Sequence, residues 1–402
     1  MLKALAWLPA LILILSVATG ATGLPLSAPM IGCYPCDSGV RNYWQDANSP
    51  WAQQDAIELL REQGFEWMRF GVTVQNHPEL DATADWAALP WKGDYWSCRE
   101  VGHRAFAQAA AAGMRLYLFL FLSDTAAHAG QQKPPTAWQD ADVRQTCRLL
   151  EEHCFETVAY LKASGLNIEV YEVGNEIERG ICGFRPHERV PCPPGVDQLR
   201  DMAWMRDNIW TPEARMLKAA IGGVKRADPQ GEIVLHAASR PSPEDLLVTA
   251  FFEAMISEGV PFDYAGLSFY PWVGYPSAPP VDDWRGQLGR WVTDIAALDK
   301  PVIVCEYSYP HHPPAQEPGT VVRPMPGFPF SAQGQALWLR EFLDWCRADP
   351  SVVGSFYFYP DYAWRPDEPN SRTNGLFLWQ DGHLVPVPAL LQLGQPSGLP
   401  SR

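Results

Sequence analysis

An α/β chain closed into a (β/α)8 barrel, the TIM-barrel architecture, is the fold class this sequence predicts. Three observations carry it. Short apolar runs with few charges recur along the chain, as expected of strands buried on both faces. Helix-like stretches separate them, and eight such runs alternate with helices in this way. The rival, an open doubly wound sheet, calls for fewer strands and a glycine-rich phosphate loop, and no such loop occurs. At 402 residues the chain fits one barrel with long rim loops. It carries no internal repeat and no low-complexity linker, so a single domain is expected over 22–402.

The strand runs lie near 30–34, 66–74, 115–122, 167–173, 232–237, 263–269, 301–306 and 353–359. Ala52 to Gln63 reads as a helix stopped by Gly64, and Glu100 to Ala112 as one stopped by Gly113. Val143 to Ala163 ends near Gly165. Pro212 to Arg226 has Thr211 placed to cap it and Pro in its first turn. Pro243 to Glu258 opens on Ser242, and Asp283 to Leu298 and Gln333 to Arg347 complete the set. Pro310 to Pro329 carries seven prolines directly after the seventh strand and is expected to be a loop on the catalytic rim.

Composition narrows the function. A formal net charge of −15 makes the chain a poor nucleic-acid binder, because phosphate recognition needs clustered Lys and Arg. Residues 1–21 read as a signal peptide: Lys3, an apolar run from Ala4 to Ala18, then small residues. Export to the periplasm or the medium is expected, with no stable membrane insertion, since no other segment approaches the length of a span. Nine cysteines in an exported chain make disulfides plausible, and Cys182 with Cys192 is the expected pair. Cys305, inside an apolar strand, reads as a buried thiol. The chain is expected to act as a monomer.

Two strand runs end in glutamates, and these carry the chemistry. Glu176 follows Gly174-Asn175 just past the fourth strand, and Glu306 ends the seventh. Glycoside cleavage uses two facing carboxyl groups, one to protonate the leaving oxygen and one to attack carbon or activate water. Glu176 is read as the acid/base, with Asn175 beside it to bond a sugar hydroxyl. Glu306 is read as the nucleophile. Arg69, a cation inside the second strand, needs a carboxylate partner, and Glu306 is the candidate it would keep ionised. Tyr270, at the end of the sixth strand, is placed to donate to the nucleophile. Among seventeen tryptophans, Trp272, Trp284, Trp364 and Trp379 fall near rim loops, where aromatic faces stack on sugars. The histidines are scattered without metal-ligand spacing, and no G-x-S-x-G elbow occurs. No organic cofactor is needed for this chemistry.

From about residue 50 to 390 the chain resembles glycoside hydrolase family 53, the endo-β-1,4-galactanases. Ser123-Asp124-Thr125 with Gly130-Gln131 and Lys133-Pro134 is similar to the segment after strand three of that family. Tyr171 to Ile177 resembles its acid/base motif. Gly266 to Trp272 and Val302 to Tyr309 resemble its strand-six and nucleophile motifs, and Asn374 to Phe377 its C-terminal end. The resemblance implies a secreted retaining endo-hydrolase of β-1,4-galactan, the side chain of type I arabinogalactan, with Asp124 among the substrate-binding residues. It also has gaps. Phe119-Leu120-Phe121 stands where the family carries Asp-Phe-His, Gly71 where it carries a second arginine, Thr73 where it carries a tryptophan, and Phe358-Tyr359 where it carries Trp-Glu. Two alternatives follow from these: a hydrolase of another β-glycan, and a non-catalytic carbohydrate-binding barrel.

Overall fold

The structure, a computed structural model, describes residues 30–34, 56–80, 97–238, 246–276, 279–315, 319–361, 363–364, 373–380 and 383–393. Eight parallel strands form the barrel: β1 (Met30–Tyr34), β2 (Trp67–Val72), β3 (Arg115–Leu120), β4 (Ile168–Val173), β5 (Glu232–Ala238), β6 (Tyr264–Phe269), β7 (Val302–Tyr307) and β8 (Val352–Phe358). Each pairs with its sequence neighbours, and β1 closes the ring by pairing with both β8 and β2. Each strand is followed by a helix: α1 (Ala56–Glu62), α2 (Arg99–Ala111), α3 (Val143–Ala163), α4 (Thr211–Ala227), α5 (Leu247–Ser257), α6 (Trp284–Ala296), α7 (Ala332–Ala348) and α8 (Pro388–Leu393). The expected barrel is therefore the observed one. The signal-peptide segment lies outside the described residues, and among those described no helix is long and apolar enough to cross a membrane.

Local sequence explains where the helices begin. Asp142 caps α3 by accepting from Gln145 N, while the Gln145 side chain accepts from Asp142 N, a reciprocal capping box. Asp283 and Ser331 cap α6 and α7 by accepting from Gly286 N and Gly334 N. Thr211 is not the cap expected of it. The chain is already helical before it, through a turn at Met202–Met205 and a π-helical turn at Arg206–Trp210. That turn buries Trp210, whose Nε1 donates to Glu178 O, so packing sets the start rather than the cap residue.

The proline-rich stretch after β7 is not wholly loop. Val321–Val322 pairs antiparallel with Val273–Gly274 from the loop after β6, tying two rim loops together. The expected disulfide is absent. Cys182 and Cys192 are both free thiols. Cys182 is turned inward, with its Sγ on Leu122 O at 3.4 Å, whereas Cys192 stays half-buried in the loop. Cys305 is the buried free thiol expected.

Packing fixes the strand that matters most. Tyr307 stacks on Phe342 of α7 with ring centroids 4.3 Å apart, and Phe342 stacks on Trp338 at 4.9 Å. Trp284, expected near the rim, belongs to this buried aromatic core. A one-residue slip of β7 would exchange Glu306 with Tyr307 and expel that ring from the core, so burial pins the register.

Candidate active site

β7 carries an extra residue relative to both its neighbours. Leu267 faces Val304 but Ser268 faces Glu306, and Ser355 faces Val304 while Tyr357 faces Tyr307. Such a bulge lets two successive side chains point the same way and re-aims one of them. Here Cys305 Sγ meets Tyr117 OH at 3.3 Å inside the barrel, and Glu306 also points inward, to Arg69.

Arg69 is fully buried and organises the barrel floor. Its Nε and NH2 form a fork on Glu172, at 2.9 and 2.7 Å. NH1 donates to Glu306 Oε1 at 2.9 Å, and NH2 also reaches Asn175 Oδ1 at 2.9 Å. The guanidinium lies 3.9 Å over the Phe119 ring. Tyr117 OH donates to Glu172 Oε2 at 2.7 Å. Burial alone would raise the Glu172 carboxyl, but Arg69 and His236 outweigh it and pull it down to about 2. The expected Arg69–Glu306 contact is present, yet the main partner of Arg69 is Glu172. Nor does Arg69 line the cleft; it lies beneath, bonded to Glu306 and Asn175, which do line it.

Tyr270 OH donates to Glu306 Oε2 at 2.9 Å, as expected. Burial pushes the Glu306 carboxyl above the ordinary range; Arg69 opposes this, the charge of Glu176 adds to it, and the net direction is upward. Arg69 therefore moderates the effect of burial without reversing it.

Glu176 sits in the left-handed region at φ 53°, a strained setting for a non-glycine residue. Gly174 before it, at φ 85°, has no room for a side chain: a β-carbon would lie 2.5 Å from Ile177 Cγ2. The turn is held from several sides. Gln132 Nε2 donates to Asn175 O at 2.6 Å and to Glu176 O at 3.2 Å, and Ile177 N donates to His236 O at 2.9 Å. The Glu176 carboxylate then accepts from Ala129 N at 3.0 Å and from Ser268 Oγ at 2.6 Å.

Both glutamates line one cleft of about 490 Å³, with Asn175, Tyr270 and Trp272, as the sequence reading anticipated. Trp272 is oriented by its Nε1, which donates to Ser308 O at 2.8 Å. Asn175 is largely committed to the protein, its Nδ2 donating to Ala127 O at 2.9 Å. Asp124 is not among the lining residues; its Oδ2 accepts from Thr136 N at 2.7 Å and shapes the loop after β3. Trp364 forms a short strand with Ala363, and its side chain, like that of Trp379, lies outside the described residues.

Phe121, Phe358 and Tyr359 make the cleft's aromatic wall. Phe358 stacks on Tyr359 at 3.8 Å and meets Tyr270 edge-on at 5.9 Å. Gly71 lies behind this wall. A β-carbon there would come 2.2 Å from Phe119 Cζ and 2.6 Å from Phe121 Cε2, so the two rings occupy the space a longer side chain would need.

Sequence reasoning passed over Glu172, His236 and Ser268. His236 Nδ1 lies 2.9 Å from Glu172 Oε1, and its Nε2 lies 2.9 Å from Ser268 Oγ. A signal existed: Glu172 and His236 each interrupt the apolar middle of a largely apolar strand, as Arg69 does. Glu172, His236 and Cys305 offer ligand atoms within 4.8 Å of one another. The guanidinium fork on Glu172, beside His236, would set a metal against a fixed positive charge, so the cluster suits an ion-pair network and does not fit a cation.

The sequence profile of Glycosyl hydrolase family 53 matches residues 37–385. An arabinogalactan endo-β-1,4-galactanase of Humicola insolens is 27% identical over 284 residues, covering 68% of this chain and 75% of the relative. An endo-β-1,4-galactanase of Bacillus subtilis is 24% identical over 354 residues, covering 86% of this chain and 71% of the relative. Among solved structures, a fungal β-1,4-galactanase superimposes with a TM-score of 0.67 at 22% identity, covering 92% of this chain and 99% of the other. The GH53 catalytic domain of Ignisphaera aggregans gives 0.67 at 21% identity, covering 93% and 98%. These structures share the fold, and the profile extends over most of the chain. The protein is a glycoside hydrolase and belongs to glycoside hydrolase family 53.

Proposed function

We propose that this protein is a retaining endo-glycosidase that cleaves β-1,4-galactan. The observation that carries the reading is a pair of carboxyls, one from the end of β4 and one from β7, opening on a single cleft in different surroundings. Glu306 lies on the floor between Arg69 and Tyr270 and acts as nucleophile. Glu176 lies at the rim, held by Ala129 N and Ser268, and acts as acid/base. Glu176 protonates the glycosidic oxygen while a Glu306 oxygen attacks the anomeric carbon, giving a glycosyl-enzyme. Glu176 then takes a proton from water as that water displaces Glu306. The galactan assignment draws on the names of the Humicola insolens and Bacillus subtilis relatives. Export, with removal of residues 1–21, is part of the proposal and is checked by N-terminal sequencing of protein recovered outside the cytoplasm. Glycan chains are the only partner this reading requires, and it treats the enzyme as a monomer.

The aromatic wall favours a second reading of the substrate. Gly71, Phe119, Phe121, Phe358 and Tyr359 put apolar surface where the resembling family places charged or hydrogen-bonding groups, so another β-glycan is the runner-up. Reducing-sugar release from a panel of β-glycans, with wild type and Glu306→Gln side by side, separates the two. Release from galactan that vanishes in the variant supports the assignment. Silence on galactan with cleavage of another glycan moves the substrate and keeps the mechanism. Proton NMR of the first product anomer tests retention: the β-anomer is expected, and the α-anomer would rule out the glycosyl-enzyme.

A further inference from the structure

A continuous hydrogen-bond chain runs from the barrel floor to the acid/base. Glu172 Oε1 meets His236 Nδ1 at 2.9 Å, His236 Nε2 meets Ser268 Oγ at 2.9 Å, and Ser268 Oγ meets Glu176 Oε1 at 2.6 Å. Glu172, His236 and Ser268 are all buried, so bulk water does not compete along it. The chain crosses three adjacent strands, β4, β5 and β6, and its far end opens on the cleft.

Hydrogen counting gives this chain two states. His236 Nδ1 faces two acceptors, the Glu172 carboxylate at 2.9 Å and Asn175 Oδ1 at 3.0 Å, both nearer than the Arg69 donor Nη2 at 3.4 Å, and Asn175 Nδ2 is directed to Ala127 O. Nδ1 therefore carries a hydrogen in either state. Ser268 has one hydrogen to give. When Glu176 is a carboxylate and the chain still holds its proton, Ser268 donates to Glu176 and Nε2 donates to Oγ, which makes His236 an imidazolium. When Glu176 is a carboxylic acid, it donates to Oγ, Ser268 donates to Nε2, and His236 is neutral. The two states differ by a concerted shift of two hydrogens, which moves one proton between Glu176 and His236. No proton enters or leaves the chain, and no heavy atom has to move far.

We propose that Ser268 and His236, backed by Glu172, form a proton relay behind Glu176: it holds the catalytic proton ahead of the first step, gives it through Glu176 to the leaving oxygen, and is refilled by the proton Glu176 takes from water in the second step. The proposal rests on Glu176 being the acid/base. Ser268 and His236 are positioning residues: they act through Glu176 and do not themselves touch the reacting bond. The charged and titratable groups that face His236 are Glu172 from β4, Arg69 from β2, and Cys305 and Glu306 from β7. Glu172 and Glu306 favour the imidazolium and Arg69 opposes it. Burial also opposes it, yet the net effect holds His236 above its ordinary range. That direction favours the imidazolium, which a relay requires.

The test reads the relay without substrate. Protein labelled with ¹⁵N-histidine is titrated by NMR in four forms: wild type, Glu176→Gln, Ser268→Ala and the double variant. Replacing the Glu176 carboxyl by an amide should move the His236 midpoint by at least about half a pH unit when Ser268 is present, and by clearly less when it is Ala. Equal movement in both backgrounds means the two groups interact only through space, and the relay is wrong. Kinetics supply the second reading. Ser268→Ala should lower kcat about 10- to 100-fold on polysaccharide and alter the pH profile. Activated aryl glycosides, which need little proton donation, should be affected far less. Ser268→Thr, which keeps the hydroxyl, should restore the profile. A Ser268→Ala profile that superimposes on wild type overturns the relay. Wild-type turnover by Glu176→Gln would instead remove the acid/base assignment itself, so the two failures are distinguishable.

Discussion

The floor and the wall of one cleft are built on opposite terms. On the floor, Arg69, Glu172, His236 and Glu306 are tied by directional bonds, several of them charge-assisted, and Ser268 carries them up to Glu176 at the rim. On the wall, Phe121, Phe358 and Tyr359 meet by shape, and Phe119 packs behind them with Phe121 into the space that the missing side chain of Gly71 leaves. A network of buried charges tolerates little change, because losing one member strands the others. A packed apolar wall can be redrawn by exchanging volumes. On the proposed mechanism the floor holds the reaction, and the wall is where the choice of glycan can drift without disturbing it.

The sharpest break is chemical. Glu306→Gln should lower kcat by about 10⁴-fold or more, as removal of a nucleophile does. Glu176→Gln should cost about 10²- to 10⁴-fold on polysaccharide. Both should melt near wild type, since Gln preserves shape and most hydrogen bonds. A variant that keeps more than a tenth of wild-type turnover on an accepted glycan would show that the floor does not do the chemistry.

Next in size is the cation that holds the floor. Arg69→Leu leaves Glu172 and Glu306 buried without their partner, and about 3–5 kcal/mol should be lost in denaturant unfolding. A loss under about 1 kcal/mol would mean that the floor is held by packing, as the wall is.

The wall calls for a paired experiment. Gly71→Arg alone must force its side chain into Phe119 and Phe121 and should cost about 1–3 kcal/mol or more. Combining it with Phe119→Asp and Phe121→His vacates that space and supplies a partner for the new charge, so much of the loss should be recovered. The triple variant should also change relative kcat/KM between two β-glycans by about tenfold, the scale of one pocket contact. If the single and triple variants unfold alike, the rings are not what excludes a longer side chain.

The same contrast explains what was legible beforehand. Strand runs were readable because burial on both faces leaves little but apolar residues, and β3, β4 and β7 fall where their patterns put them. Arg69 and Glu306 stood out as charges inside such runs. Glu172 and His236 carried the same signal, but their role is relational: each matters through a neighbour on another strand, and nothing local to either residue fixes that register. The bulge at Cys305 is equally silent in a single strand, since it is defined only against β6 and β8. The Cys182–Cys192 pairing failed for a related reason, as nearness in sequence does not fix which way a thiol turns.

Two buried carboxyls outside the reacting pair make the smallest test and the cleanest control. Glu172 is surrounded by donors and pulled down to about 2. Glu213, on α4, has both oxygens buried without a hydrogen-bond partner among the described residues. Burial pushes its carboxyl well up, the nearby Glu178 adds to this, and Arg185 only opposes it. The signs follow from linkage. A lowered carboxyl stabilises the fold above the ordinary value of 4.5, and that contribution fades as pH falls toward about 2. A raised carboxyl contributes below its ordinary value and loses that contribution as pH rises through its folded value. Glu172→Gln should therefore cost most near neutral pH and progressively less in acid. Glu213→Gln should gain on wild type as pH rises, because glutamine never has to carry a buried charge. Thermal melts of wild type and both variants from about pH 2.5 to 8 should show variant-minus-wild-type slopes of opposite sign, that of Glu172→Gln below 4.5 and that of Glu213→Gln above it. Parallel slopes would mean that burial, and not the presence of partners, governs both carboxyls, and the distinction between a bonded floor and its unbonded surroundings would lose its electrostatic basis.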